Sequence, residues 1–244
     1  RVHMERLIAR GGLPHLARMA DEGVIADLTP TMPMLSPIIW TTVASGYPAD
    51  QHGIGGWTTA RGQAFTSSDV RTLRLWDIAD AQGARALVAG WLMTWPASPM
   101  SGTLVSDKLV WSFPLDKDPT DPSVQITRDQ LDDRWALAWP PGETEALLGR
   151  IPTEAELAEG PLGAQVAQFG APFHPVRRDE TQVRVFEDRW DGNTRLGLVY
   201  LVGADQVSHL YWPFVDPRAM RVLRGDPVAR QAAADGDRRK PGKR

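Results

Sequence analysis

Two places in the sequence put nucleophilic or metal-binding side chains where chemistry could use them. The first is Asp205-Gln206-Val207-Ser208-His209, directly after the apolar run Leu196 to Val202. If the chain turns into a helix there, the i, i+4 spacing places a carboxylate and an imidazole on one face. Oxygen and nitrogen donors side by side suit a zinc-like divalent cation. Such pairs also arise by chance on many helices, with the acid as a helix cap and the histidine as an ordinary interfacial residue; the position after a strand raises this one. The second place is Ser36, followed by Pro37. Ser as N-cap with Pro at the first helical position is a helix-start signal. A hydroxyl there sits among free backbone N–H groups at the positive end of the helix dipole, a setting that attracts phosphate and favours the alkoxide. Attack on phosphorus needs that hydroxyl deprotonated, which a bound metal can do. A plain N-cap explains the same dipeptide.

These residues need elements to position them. Ile38 to Ala44 is expected to be a helix opened by Ser36-Pro37 and stopped at Ser45-Gly46, although its β-branched residues favour strand. Leu196 to Val202 reads as a central parallel strand, apolar throughout. Ala84 to Trp91 has the same buried-strand character, after a helix over Leu73 to Gln82 that Gly83 closes. Upstream, a helix in two pieces is interrupted by Gly11-Gly12, and Val24 to Leu28 could form a short strand. Thr181 to Trp190 is expected to be helical. Alternating helices and strands at both ends favour an α/β fold with a doubly wound, mostly parallel sheet, and ligands in such sheets gather at the carboxyl ends of the strands.

Composition narrows the classes. Apolar residues make up 42% and charged residues 23% of 244 residues, ordinary for a globular protein. No apolar run reaches the roughly 20 residues of a membrane span, and the first residues show no signal-peptide pattern. With no cysteine, disulfides, thiolate metal sites and a cysteine nucleophile are excluded, and either redox compartment suits the chain. From Asp216 onward the net charge is +5, against −8 for the rest. That tail is polar and rich in small residues, which favours a solvated, disordered end over a nucleic-acid-binding arm.

Several blocks occur in a telling order: Gly12-Leu13-Pro14-His15-Leu16-Ala17-Arg18-Met19-Ala20-Asp21-Glu22-Gly23-Val24, then Pro33-Met34-Leu35-Ser36-Pro37-Ile38-Ile39-Trp40-Thr41-Thr42. Next come Ser45-Gly46-Tyr47-Pro48-Ala49-Asp50-Gln51-His52-Gly53-Ile54, Gly90-Trp91-Leu92-Met93-Thr94-Trp95-Pro96, and finally Asp205 to Trp212. In wording and spacing they resemble the type I phosphodiesterase/nucleotide pyrophosphatase family of the alkaline phosphatase superfamily. The resemblance implies a small-molecule phosphate ester as substrate and two divalent metal ions, zinc by type, as cofactors. It makes Ser36 the nucleophile and also a metal contact, with Asp205 and His209 ligands to one of the ions. His52 is no ligand in that pattern and reads as structural, as do His3, His15 and His174.

The same resemblance marks departures. The family's first metal-binding Asp precedes the segment with which this sequence begins, and its later Asp-His pair and final His have no counterpart here. The expectation is therefore a core truncated at both ends and inactive by itself. Trp57 stands where nucleotide-cleaving members carry an Asn that touches the phosphoryl oxygen. A sulfatase is disfavoured, since Ser36 is followed by Pro37-Ile38-Ile39-Trp40 rather than by x-Pro-x-Arg. The expected layout is a partial alkaline-phosphatase-like core over 1–99 and 180–215, an inserted cap over 100–179, and a polar basic tail over 216–244. The expected function is metal-dependent phosphodiester hydrolysis through a phosphoseryl intermediate; the alternative is a non-catalytic binding module on the same fold.

Overall fold

The computed structural model describes residues 2–110, 136–160 and 173–215, together with 163, 221, 224 and 225. Most of the tail expected beyond residue 215, and the middle of the expected cap, lie outside the described residues. The chain divides into two compact units, residues 1–31 and 32–244. The first holds helices α1 (Val2–Ala9) and α2 (Pro14–Glu22). Gly11, at φ +73°, turns the chain between them, and Gly12 N–H donates to the Leu7 carbonyl. The strand considered for Val24 to Leu28 does not form: this stretch has no regular structure, and Val24 is 92% exposed. An extended apolar run with no partner strand has no ladder to join.

The second unit is built on a four-stranded sheet ordered β3-β2-β1-β4. Its strands are β1 (Arg85–Ala89), β2 (Gly102–Val105), β3 (Ala138–Trp139) and β4 (Thr194–Val199). Both β2 and β4 run parallel to β1, with Val88 opposite Leu104 on one side and Leu198 on the other, while β3 is antiparallel to β2. Two strands thus come from the 100–179 stretch in which a cap was expected. β4, expected to be central, stands at one end of the order among the described residues, with Arg195 and Gly197 exposed.

β1 is buried on both faces, as a strand covered by helices on either side must be. One face, carrying Ala86, Val88 and Leu104, packs with Trp76 of α5 (Leu75–Ala81) and with Ala44 of α3 (Ser36–Ser45). The other, carrying Ala89 and Val105, packs with Leu147 of α6 (Thr144–Leu148) and Val185 of α8 (Phe173–Arg189). Short helices α4 (Ala49–His52) and α7 (Glu154–Glu159) lie in the connections, and α9 (Gly203–Val215) follows β4. Helices on both faces of a mixed, mostly parallel sheet make this an α/β fold. Among the described residues no helix is long and apolar enough to cross a membrane.

Gly102 starts β2 at φ +120°, and a Cβ there would overlap the Ala86 carbonyl oxygen. Gly102→Ala should therefore destabilise the protein by about 3 kcal/mol or more, combining strain with a broken strand contact. Gly192→Ala, with open space around it, should stay within about 0.5 kcal/mol of the parent. Urea unfolding of the two variants checks the contrast, and equal midpoints would refute it.

Candidate active site

Ser36 is the first residue of α3, one place further in than an N-cap. Leu35 occupies the cap position in extended conformation, and no side chain caps the helix. The Ser36 hydroxyl is therefore not used as a cap, contrary to the expectation from Ser-Pro. Pro37 falls in the first turn, where its missing N–H is harmless. At the other end Gly46 adopts φ +75° and donates its N–H to the Thr42 carbonyl, the stop expected from Ser45-Gly46. Ser36 is half-exposed, while Pro37, Ile38, Thr41 and Ala44 are buried.

His52 pins this helix. Its ring is fully buried, and Nδ1 accepts the Ile54 N–H at 3.1 Å, so Nε2 carries the proton. That nitrogen lies 3.2 Å from Thr42 Oγ1 and bonds the Ile38 carbonyl, both on α3. Burial holds the His52 pKa below its usual 6.5, outweighing the bond to Ile38 that raises it. The structural role read for His52 in the sequence matches this geometry.

Three aromatic rings join α3 to the carboxyl edge of the sheet. Trp40, one turn along from Ser36, meets Tyr200 with ring centroids 4.7 Å apart and Trp91 at 5.3 Å, both edge-on. Trp91 follows the end of β1 and Tyr200 the end of β4, and Trp91 donates its indole N–H to the Trp40 carbonyl at 3.1 Å. Tyr200 N–H also donates to the Ala89 carbonyl, extending the β1–β4 pairing to the edge. Burial pushes the Tyr200 hydroxyl up to about 12, and the Asp205 charge adds to the rise. Tyr200 therefore touches the helix of Ser36 and lies within the field of Asp205.

Asp205 sits in the first turn of α9, with His209 one turn on; Nε2 of the histidine lies 3.6 Å from Oδ2 of the acid. Both side chains are exposed, and with Ser208 and Trp212 they line an open pocket of about 380 Å³. One carboxylate and one imidazole are the donor types of a zinc-like ion. Two donors fall short of a closed site, and among the described residues no cluster of three or more His, Asp or Glu side chains could hold a metal. The side chain of His174 lies outside the described residues.

Sequence reasoning passed over the groups beneath this edge. Asp179 of α8 accepts the backbone N–H groups of Val202 and Gly203, where β4 gives way to α9. Arg178 beside it is buried, and burial lowers its pKa to about 10, against the charge of Asp107. Asp107 is buried too, which raises its pKa, and it accepts the N–H groups of Thr94 and Trp95 in the loop after β1. Only once the helix is seen to start at Gly203, after Val202, is it clear that it has no capping side chain of its own and that its first N–H groups must be answered from elsewhere. Trp57 is 44% exposed just ahead of the antiparallel bridge between Thr58 and Ala64, with its carbonyl accepting the Phe65 N–H, and next to Gly56, which lies near the Leu35 side chain.

Polar chemistry at the carboxyl edge of a parallel α/β sheet defines a class of protein that binds its ligand there. The chain belongs to the type I phosphodiesterase/nucleotide pyrophosphatase family, whose model matches residues 4–237. It is a family of phosphate-ester hydrolases that generally use divalent metals and act on small substrates. No curated protein and no solved structure matches the chain.

The histidine makes a measurable demand on pH. Its folded pKa lies below the unfolded 6.5, so its contribution is present above pH 6.5 and is lost as pH falls from there through the folded value. His52→Gln should cost about 1–3 kcal/mol at pH 8, the usual range for a buried hydrogen-bonded group. The gap to the parent should narrow below pH 6.5 in urea unfolding at each pH. An unchanged gap at pH 5.5 would show that His52 is not held neutral.

Proposed function

We propose that the chain carries the nucleophile and part of the metal site of a metal-dependent phosphodiesterase. Ser36 Oγ attacks phosphorus in line, the bond to the leaving alkoxide breaks and that oxygen takes a proton, leaving a phosphoseryl group. Water then cleaves the Ser36–phosphorus bond and restores the hydroxyl. A divalent ion held by Asp205 and His209, with donors from beyond the described residues, would neutralise phosphoryl charge and favour the deprotonated hydroxyl. The main support is the edge-on contact of Trp40 with Tyr200, which brings the helix of Ser36 to the strand end from which α9 departs. Helix α3 leaves the Ser36 hydroxyl out of its own capping, at a helix N-terminus suited to phosphate. Trp57 in place of the family's Asn favours phosphodiesters other than the usual nucleotide substrates.

With two donors among the described residues, weak zinc binding and little turnover are expected of this chain, since zinc normally holds at least three protein ligands. Calorimetry that showed tight, stoichiometric zinc binding would reveal a missed ligand, with His174 the first to test. The shortage of donors among the described residues also favours a second reading, a binding module that keeps the fold without catalysis.

Mutation of Ser36 separates the two. In a form of the protein that turns over a nitrophenyl phosphodiester, Ser36→Ala should lower kcat by about a thousandfold or more. Ser36→Thr should keep part of the activity. Since Ser36 caps nothing, the Ala variant should unfold within about 1 kcal/mol of the parent. An Ala variant as fast as the parent would remove Ser36 from the mechanism.

A further inference from the structure

Helix α9 begins without a cap of its own, and a carboxylate from another helix supplies one. Asp179 Oδ1 accepts the Val202 N–H at 2.8 Å and the Gly203 N–H at 3.0 Å, and Oδ2 accepts the Gly203 N–H at 3.0 Å. Gly203 leaves the room for this: a Cβ there would overlap Asp179 Oδ2. The carboxylate is itself held in a charged layer, with the buried Arg178 guanidinium beside it and Asp107 beyond. Asp107 is tied by Thr94 and Trp95 to the loop after β1. The start of α9 is thus referenced to the sheet through α8.

Where a helix starts decides where its side chains face. At 3.6 residues per turn, a slip of one residue turns every side chain by about 100°. Asp205 lies two residues beyond Gly203, and His209 one turn further, paired with it at 3.6 Å. We infer that Asp179 is a positioning residue for the Asp205–His209 pair: its grip on the Val202–Gly203 backbone sets the direction in which both donors face. Asp179 bonds the backbone of the turn, two residues short of the nearer donor. The inference rests on the proposed reading of that pair as donors to a divalent ion. A cap that only stabilises would change the unfolding midpoint and leave the affinity of the folded pair unchanged.

The test titrates paramagnetic Co2+ into the 244-residue chain and follows the His209 ring signals by NMR, assigned by their loss in His209→Gln. Asp179→Ala removes the acceptors, and Gly203→Ala pushes on the same contact from the other side. Asp179→Asn keeps an oxygen able to accept both N–H groups. All are compared at a temperature well below their unfolding midpoints. In the parent, Co2+ should perturb His209 selectively. Asp179→Ala and Gly203→Ala should need about 10–100-fold more Co2+ for the same effect, the usual loss when a group that orients a metal ligand is removed. Asp179→Asn should stay close to the parent. Amides of Asp205 and Gln206 should exchange faster in the Ala variants and not in the Asn variant. If Asp179→Ala does not fold, Gly203→Ala set against Asp179→Asn decides. Unchanged Co2+ dependence in the Ala variants overturns the positioning role and leaves the metal reading intact. A parent whose His209 ignores Co2+ overturns the metal reading, and this inference with it.

Discussion

The backbone bond from Tyr200 to Ala89, together with the packing of the Tyr200 ring on Trp40, is the contact on which the arrangement of the site depends. The bond closes the β1–β4 pairing at its carboxyl edge, and the ring contact brings the helix of Ser36 to that same edge. Without it, the helix of Ser36 and the helix of Asp205 and His209 would lose their shared contact at that edge. Trp91 adds a second fastening, with its ring against Trp40 and its N–H on the Trp40 carbonyl. Aromatic rings are well suited to such a junction, because they bury large area with few rotatable bonds, and an edge-on pair adds about 0.5–1.5 kcal/mol beyond burial.

Beneath the aromatic layer lies a polar one. His52 fastens α3 from below, through the Ile38 carbonyl and Thr42, and stays neutral because it is buried. Asp107, Arg178 and Asp179 form a run of buried or half-buried charge between the loop after β1 and the start of α9. Buried charge of this kind costs desolvation energy and adds little net stability, but its bonding geometry is specific. Here it joins the two backbone turns at the carboxyl ends of β1 and β4.

Local signals in the sequence carried over into the fold, and long-range ones did not. Ser36-Pro37 and Ser45-Gly46 marked both ends of α3, because helix termini are decided by a few adjacent residues. The apolar runs around Leu87 and Leu198 became β1 and β4 for the same reason. What failed needed knowledge of partners. Val24 to Leu28 has the composition of a strand and finds no neighbour to pair with. Gly102 to Val105 is too short and too surrounded by proline to stand out, and it becomes a strand because β1 accepts it. In the candidate site Ser36, Asp205 and His209 were candidates by residue type and spacing, and it was the family resemblance that singled them out. Asp179 could not, since its cap acts across the interval from residue 179 to residue 203.

The β1–β4 pairing also has a consequence for assembly in time. Arg85–Ala89 must meet Thr194–Val199, so this contact closes a loop made of everything in between. Closing such a loop costs entropy before any burial compensates, and long-range parallel pairing is intrinsically slow. Helices α3 and α5 and strand β1 lie together near the start of this unit and can gather early. The edge where Trp40, Trp91 and Tyr200 meet cannot form until β4 has been synthesised and docked. The carboxyl edge is thus among the last parts of the unit to assemble, and a chain stalled before residue 194 would leave the apolar flank of β1 uncovered.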